Sequence, residues 1–232
     1  MIIKTFKGNT KKITDKETLE FFIDDKNYVK STIRQIYDEK IYDSILNRLI
    51  EKNQVKKMID CGANVGLFSF YCSDVFDKIY SFEPSDIHFN ICNNILPDNV
   101  ILKKLAISNR SGTVDFYINN ANSTTNSLIG DFGGNKISCN STSINEFIYI
   151  NKIDVIDFIK IDIEGSEVIA LDNEFFNMTC NKLNNIYIET HNTFQQNGKD
   201  SSANADYFQD KLSSIGFNVQ RINIDSLFAE KQ

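Results

Sequence analysis

The stretch that most constrains this chain runs from Met58 to Tyr71, MIDCGANVGLFSFY. An apolar run ends in Asp60, breaks at Gly62, Asn64 and Gly66, and gives way at once to a second apolar pattern. Glycine and asparagine are the residues that best tolerate left-handed backbone angles. The reading is a strand that turns sharply into a helix, whose free N–H groups face the turn. The dinucleotide fingerprint G-x-G-x-x-G is absent from this turn.

The same rhythm continues along the chain. Strands are predicted at Lys57–Cys61, Lys78–Phe82, Val100–Lys103, Phe158–Ile163, Ile186–Thr190 and Phe217–Arg221. Helices are predicted at Leu67–Asp74, Asp86–Leu96, Glu167–Leu171 and Ala203–Ser214. This alternation predicts an α/β fold with a doubly wound, mostly parallel sheet. A chain of 232 residues with 41% hydrophobic content suits one such domain with a small appendage. The appendage is residues 1–54, an N-terminal helical cover region in which MIIKTF reads as a short strand. There Ile41, Ile45, Leu46, Leu49 and Ile50 share a helical face. Residues 55–232 form the main domain, interrupted at 106–150 by inserted strands and a loop. In that insertion NRSGTVDFYI and KISCNSTS read as strands, NANSTTNSLIGDFGGN as a polar loop and INEFIYI as a short helix. Insertions of this kind often carry substrate contacts.

A net charge of −6 and a pI near 5.0 argue against nucleic acid as a partner, because gripping a phosphate backbone calls for a basic excess. No apolar run has the length needed to cross a bilayer, so no membrane partner is expected. The N-terminus lacks the apolar core of a secretory signal. The five cysteines, Cys61, Cys72, Cys92, Cys139 and Cys180, are odd in number and widely spaced. They read as reduced thiols of a cytoplasmic protein.

Two acids frame the turn. Asp60 ends its strand, and Glu83 ends the next one, KIYSFEPS, 23 residues later. That is close to the spacing of about 20 at which a carboxylate accepts from ribose hydroxyls. A pyrophosphate wants a glycine-rich turn aimed at a helix N-terminus. A turn carrying an acid better suits a ligand with an ammonium and a cationic sulfur, which points to S-adenosylmethionine.

The segments DCGANVGLFS, SFEPS, LAIS and FIKIDIEGSEVIAL together resemble the FkbM family of S-adenosylmethionine-dependent methyltransferases. The family pattern is roughly D-x-G-A-N-x-G, then F-E-P, then K-I-D-x-E-G-x-E, and the resemblance covers about Met58 to His191. It implies a Rossmann-like, seven-stranded class I methyltransferase sheet with the cofactor across the carboxyl ends of the strands. It implies cofactor contacts from Asp60, Gly62, Asn64 and Gly66 at the methionine end, with Ala63 among them. Glu83 would take the ribose, and Ala106 and Ile107 would lie near the adenine.

KIDIEGSE places Asp162, Glu164 and Glu167 around Gly165. Three carboxylates at one strand end repel, so a cation is expected beside them: the sulfonium, the cofactor ammonium, a lysine or a metal. Asp162 is expected near the methyl-transfer region and Glu167 at the N-terminus of the next helix. For Glu164 a substrate hydroxyl, a structural bond and a metal all stay open. His191 follows the apolar strand IYIET, where a neutral imidazole could take a proton from a substrate hydroxyl. His88 is expected to be a surface or packing residue. The candidate catalytic set is therefore His191, Asp162 and Glu164.

The resemblance implies in-line O-methylation of a hydroxyl on a small-molecule or glycan acceptor: a sugar, a glycan or a secondary metabolite. A divalent metal stays open through Asp162 and Glu164, but none is expected, since no Asp-Asn pair follows the pattern of metal-dependent catechol-type enzymes. With only Pro84 and Pro97 in the chain, Pro-Pro and Pro-Cys methylation motifs are excluded. Two other readings stand beside this one. Glu83 would also suit an NAD-dependent oxidoreductase, although no Tyr-x-x-x-Lys constellation accompanies it. A cofactor-binding module without catalysis would keep the same turn.

Overall fold

The apolar runs assemble into one central sheet. The computed structural model describes residues 1–24, 28–119, 126–129, 135–191 and 201–232. The chain opens with a hairpin, β1 (Ile2–Lys4) and β2 (Thr10–Lys12), then helices α1 (Lys16–Asp24), α2 (Tyr28–Ile33) and α3 (Asp43–Glu51). Strand–helix alternation follows with β3 (Lys57–Cys61), α4 (Leu67–Cys72), β4 (Lys78–Phe82), α5 (Asp86–Ile95) and β5 (Val100–Lys103). Next come β6 (Ala106–Ile107), β7 (Gly112–Ile118), β8 (Asn135–Thr142) and α6 (Ile144–Ile150). The alternation resumes with β9 (Ile156–Ile161), α7 (Glu167–Ala170), β10 (Leu183–Glu189), α8 (Ser201–Ser214), β11 (Phe217–Arg221) and β12 (Ser226–Lys231).

The seven-stranded sheet has the order β11-β12-β10-β9-β3-β4-β5. The pairs among β10, β9, β3, β4 and β5 are parallel, while β12 runs antiparallel to both of its neighbours. The expected doubly wound, mostly parallel sheet is thus the observed one. The chain winds outward from β3 to β5, then returns to β9 on the other side of β3. That reversal is the switch point at which α/β sheets open a crevice for ligands.

Four expected strands match the observed limits, and two differ for local reasons. β9 stops at Ile161 because Glu164 and Gly165 take left-handed backbone angles (φ 54° and 95°) that turn the chain away. β10 starts early, at Leu183, because the buried Asn185 amide donates to Gln54 Oε1 at 2.9 Å and to the Asp157 carbonyl at 2.8 Å. Those bonds satisfy a polar side chain that a sequence pattern alone scores against a strand. β12 goes unmarked by the sequence pattern; its SLFAEK segment is buried along most of its length.

The described part of residues 1–54 packs against the central sheet, meeting Met58, Ile79, Phe158, Tyr187 and Phe228 in one apolar cluster. Every residue of α4 is buried, and a helix that is apolar all round needs cover on both faces. Phe6 and Tyr37 meet the Tyr71 ring edge-on at 5.8 and 5.5 Å, and Tyr42 lies against Phe68 at 4.4 Å. In α3, Ile45, Leu46 and Leu49 face inward as expected, but Ile50 is exposed. The insertion forms a separate sheet, β6-β8-β7, and α6 returns to the main core through Phe147, whose ring meets Phe82 at 4.8 Å. The polar segment 120–135 falls largely outside the described residues. Among the described residues no helix is long and apolar enough to cross a membrane. The five cysteines are free thiols.

Candidate active site

The turn after β3 is held from β4. The N–H groups of Gly62 and Ala63 donate to the Phe82 carbonyl at 3.2 and 2.9 Å. The Asn64 N–H donates to Glu83 Oε2 at 2.9 Å, and the Ser85 N–H donates to Oε1 at 2.8 Å. Gly62, Asn64 and Gly66 all adopt positive φ, at 88°, 50° and 79°. The demand for glycine at position 62 comes from the neighbouring strand. A Cβ there would stand 1.9 Å from the Asp162 carbonyl oxygen, so β9 and the turn approach too closely for any side chain. To the left-handed backbone angle expected from the sequence the structure thus adds close approach of the protein's own backbone.

A cavity of about 230 Å³ opens over the carboxyl ends of β3, β4 and β9. Gly62, Ala63, Asn64, Glu83, Ala106, Ile107, Asp162 and Glu164 all line it. The motif pieces, far apart in sequence, therefore converge on one space. Asp60 and Gly66 are not among the lining residues. Asp60 lies behind the turn, fully buried, and accepts from Ser69 Oγ at 2.6 Å. Burial raises its pKa, against the pull of Lys160 and Ser69.

Lys160 also lines the cavity, and sequence reasoning gave it no role. It sits in the buried β9, in the apolar stretch after Asp157, with a side chain only 5% exposed. Its ammonium lies 2.8 Å from Asp162 Oδ2, 3.9 Å from Asp60 Oδ1 and 5.5 Å from the centre of the Phe68 ring. Burial alone would lower its pKa, but Asp162 and Asp60 together hold it above the usual lysine value. Burial likewise opposes ionisation of Asp162, yet Lys160 and His191 hold its carboxyl below the ordinary range. A lone charged residue inside a buried strand was the signal available in FIKI, because such a residue must be paired.

The acids around Gly165 converge with His191. Glu167 is 1% exposed, and its Oε1 accepts from the N–H groups of Ile163 at 3.0 Å and Gly165 at 3.2 Å. The same oxygen lies 3.0 Å from His191 Nδ1. His191 Nε2 faces Glu164 Oε2 at 3.5 Å and Asp162 Oδ1 at 3.8 Å. Burial would lower the imidazole pKa, but Glu167, Glu164 and Asp162 drive it well above 6.5. The free, neutral base expected from the sequence is thus disfavoured by three surrounding carboxylates. Burial pushes Glu164 up to about 8. Glu189, which also lines the cavity, is pushed up to about 7 by Asp162 and by burial. Of the two readings for His88, surface or packing, the structure shows the second: the residue is buried. Its Nδ1 lies 3.7 Å from Glu83 Oε1, and its ring packs edge-on against Phe21 at 5.6 Å.

The strand order, the single antiparallel strand and a cavity at the switch point define the class I, S-adenosylmethionine-dependent methyltransferase domain. More narrowly, the chain belongs to the FkbM methyltransferase family: the family model "Methyltransferase FkbM domain" matches residues 60–219. No curated protein matches it in sequence. Among solved structures it is similar to magnesium protoporphyrin IX methyltransferase (ChlM) from Synechocystis PCC 6803 with bound SAM. That similarity is 12% identity over 96% of this chain and 100% of that one, with a TM-score of 0.49. The DhpI–SAH complex aligns at 12% identity over 92% of this chain and 91% of that one, TM-score 0.44. The Methanococcus jannaschii fibrillarin pre-rRNA processing protein aligns at 12% identity over 77% and 68%, TM-score 0.44.

Proposed function

We propose that this protein transfers a methyl group from S-adenosylmethionine to a hydroxyl of a sugar, glycan or secondary metabolite. One observation carries the reading: the turn 62–64, Glu83, the pair Ala106–Ile107 and the acids Asp162 and Glu164 line a single cavity. The donor set fits the cofactor. Glu83 uses one lone pair of each oxygen on Asn64 and Ser85, and a carboxylate has about four acceptor sites. Two remain for a ribose diol. Leu105, Ala106, Ile107 and Phe82 offer an apolar wall for the adenine. Asp162, held ionised by Lys160, complements an ammonium or sulfonium, with Gly62, Ala63 and Asn64 alongside. Asp60 and Gly66 contribute indirectly: Asp60 by anchoring Ser69 and Lys160, Gly66 by opening α4.

When bound, the cofactor supplies an activated methyl on sulfur. The chain has then to align the acceptor, exclude water and hold one proton. Glu164 reaches the cavity with a carboxyl whose raised pKa suits it to accept that proton near neutral pH. His191 serves as a positioning residue, clamped by Glu167 and facing Glu164 and Asp162. The polar wall from Ser31, Thr32, Gln35 and Asn126 supports a hydroxylated acceptor.

Calorimetry on the full chain tests the cofactor half. S-adenosylhomocysteine is expected to bind one to one and NADH not to bind. A preference for NADH would return the oxidoreductase reading. A screen of glycans and hydroxylated metabolites with labelled methyl donor tests the other half. Label recovered on oxygen is expected; label only on nitrogen or carboxyl groups overturns O-methylation.

A further inference from the structure

We infer that Asp162, Glu164 and His191 form a divalent-cation site beside the cavity, where the sequence led to no expectation of a metal. Each residue offers one ligand atom, and these atoms lie within 4.8 Å of one another. His191 Nε2 stands 3.5 Å from Glu164 Oε2 and 3.8 Å from Asp162 Oδ1. A charge-assisted N–H···O bond closes to about 2.7–2.9 Å. Adjacent oxygens around an octahedral ion bound at about 2.1–2.6 Å are separated by about 3.0–3.7 Å. The imidazole therefore keeps roughly ligand spacing from both carboxylates and makes a hydrogen bond to neither.

Groups outside the trio orient each ligand. Glu167 is fixed by two backbone N–H groups, and its Oε1 lies 3.0 Å from Nδ1; a carboxylate only accepts, so the proton of this contact sits on Nδ1. That leaves Nε2 aimed at the carboxylates. A carboxylate behind a ligating histidine is the usual outer partner of a metal-bound imidazole. Asp162 gives Oδ2 to Lys160 at 2.8 Å and turns Oδ1 toward His191. Among the described residues none donates a hydrogen bond to the Glu164 carboxylate. Glu189 adds a further acid from β10, and Lys160 is shared between Asp162 and Asp60. An ion bound at Nε2 takes the place of a proton there and brings two positive charges beside the carboxylates in exchange for one.

Two carboxylate oxygens and one imidazole nitrogen suit a hard to borderline cation such as manganese, with positions left open for water or a hydroxyl. Cation binding does not depend on the proposed function. Its consequence does: an ion here would polarise an acceptor hydroxyl oxygen and ease its deprotonation beside Glu164.

The full chain with S-adenosylhomocysteine present is titrated with manganese chloride, and free Mn²⁺ is read by electron paramagnetic resonance. One saturable site is expected. His191→Gln and Glu164→Gln are expected to weaken it at least tenfold, and Glu167→Gln by about tenfold through ring orientation. Glu189→Gln, which removes charge but no ligand, is expected to weaken it less than threefold. Pulsed resonance on the wild-type complex is expected to show hyperfine coupling to an imidazole nitrogen, a readout that needs no variant to fold. No saturable site, no nitrogen coupling, or a Glu189→Gln loss equal to that of His191→Gln would each overturn the inference.

Discussion

The backbone N–H of Asn64 donates to Oε2 of Glu83 at 2.9 Å, tying the turn after β3 to the end of β4. The bond orients the carboxylate before any ligand arrives, and such preorganisation lowers the cost of binding. Glu83→Gln replaces one acceptor oxygen with an NH₂ group, so either Asn64 or Ser85 loses its partner. An unpaired buried donor costs about 1–3 kcal/mol. Affinity for S-adenosylhomocysteine is expected to fall at least about tenfold by calorimetry, which corresponds to about 1.4 kcal/mol. Unchanged affinity would dissociate Glu83 from the ligand.

Gly62→Ala places a methyl group 1.9 Å from the Asp162 carbonyl, at a φ of 88° that L-residues avoid. Relief requires β9 and the turn to move apart. A loss of about 3 kcal/mol or more in urea unfolding is expected, from overpacking and backbone strain together. A variant as stable as the wild type would show that the two backbones are not in contact.

Lys160→Met leaves Asp60 and Asp162 without their shared cation. Removing one partner of a buried pair costs about 3–5 kcal/mol. The double variant Lys160→Met with Asp162→Asn removes one of the stranded charges as well. It is expected to be more stable than Lys160→Met alone, a non-additivity that equilibrium unfolding of the set will reveal. Strict additivity would deny the coupling.

Glu230 of β12 accepts from Arg48 Nε at 2.8 Å and from Lys52 Nζ at 2.6 Å, both on or next to α3. Burial works against its charge, but Lys52 and Arg48 hold its pKa below 4.5. The unfolded state then binds the proton more readily than the folded state. The resulting stability is present above pH 4.5 and disappears as pH falls through the lower, folded value. Glu230→Gln is expected to cost about 1.5–3 kcal/mol at pH 7, the range for hydrogen bonds to charged groups. Unfolding curves of the two proteins should converge at the acid end. A constant gap across pH would assign the loss to packing.

The strands β3, β4, β5 and β11 were legible because an apolar run bounded by glycine, asparagine or charge suffices to define them. Asn64 was legible as a left-handed residue for the same local reason. Lys160 was not, because its meaning lies in Asp60, a hundred residues earlier, and in Asp162 across the strand end. The approach of Glu189 to Asp162 and of His88 to Glu83 also escaped, since each is made between different elements. β12 hid in a short apolar run whose antiparallel place between β10 and β11 depends on pairings distant in the chain.

What the amino-acid order determined by itself is the alternating sheet, the bend at 62–66 and the set of acids at the strand ends, since each follows from local backbone and side-chain preference. Only the tertiary structure decided which acids are shielded, shared or left facing an imidazole. Charge interactions depend on separation and burial in space, and both are set by how strands from distant parts of the chain come to lie side by side.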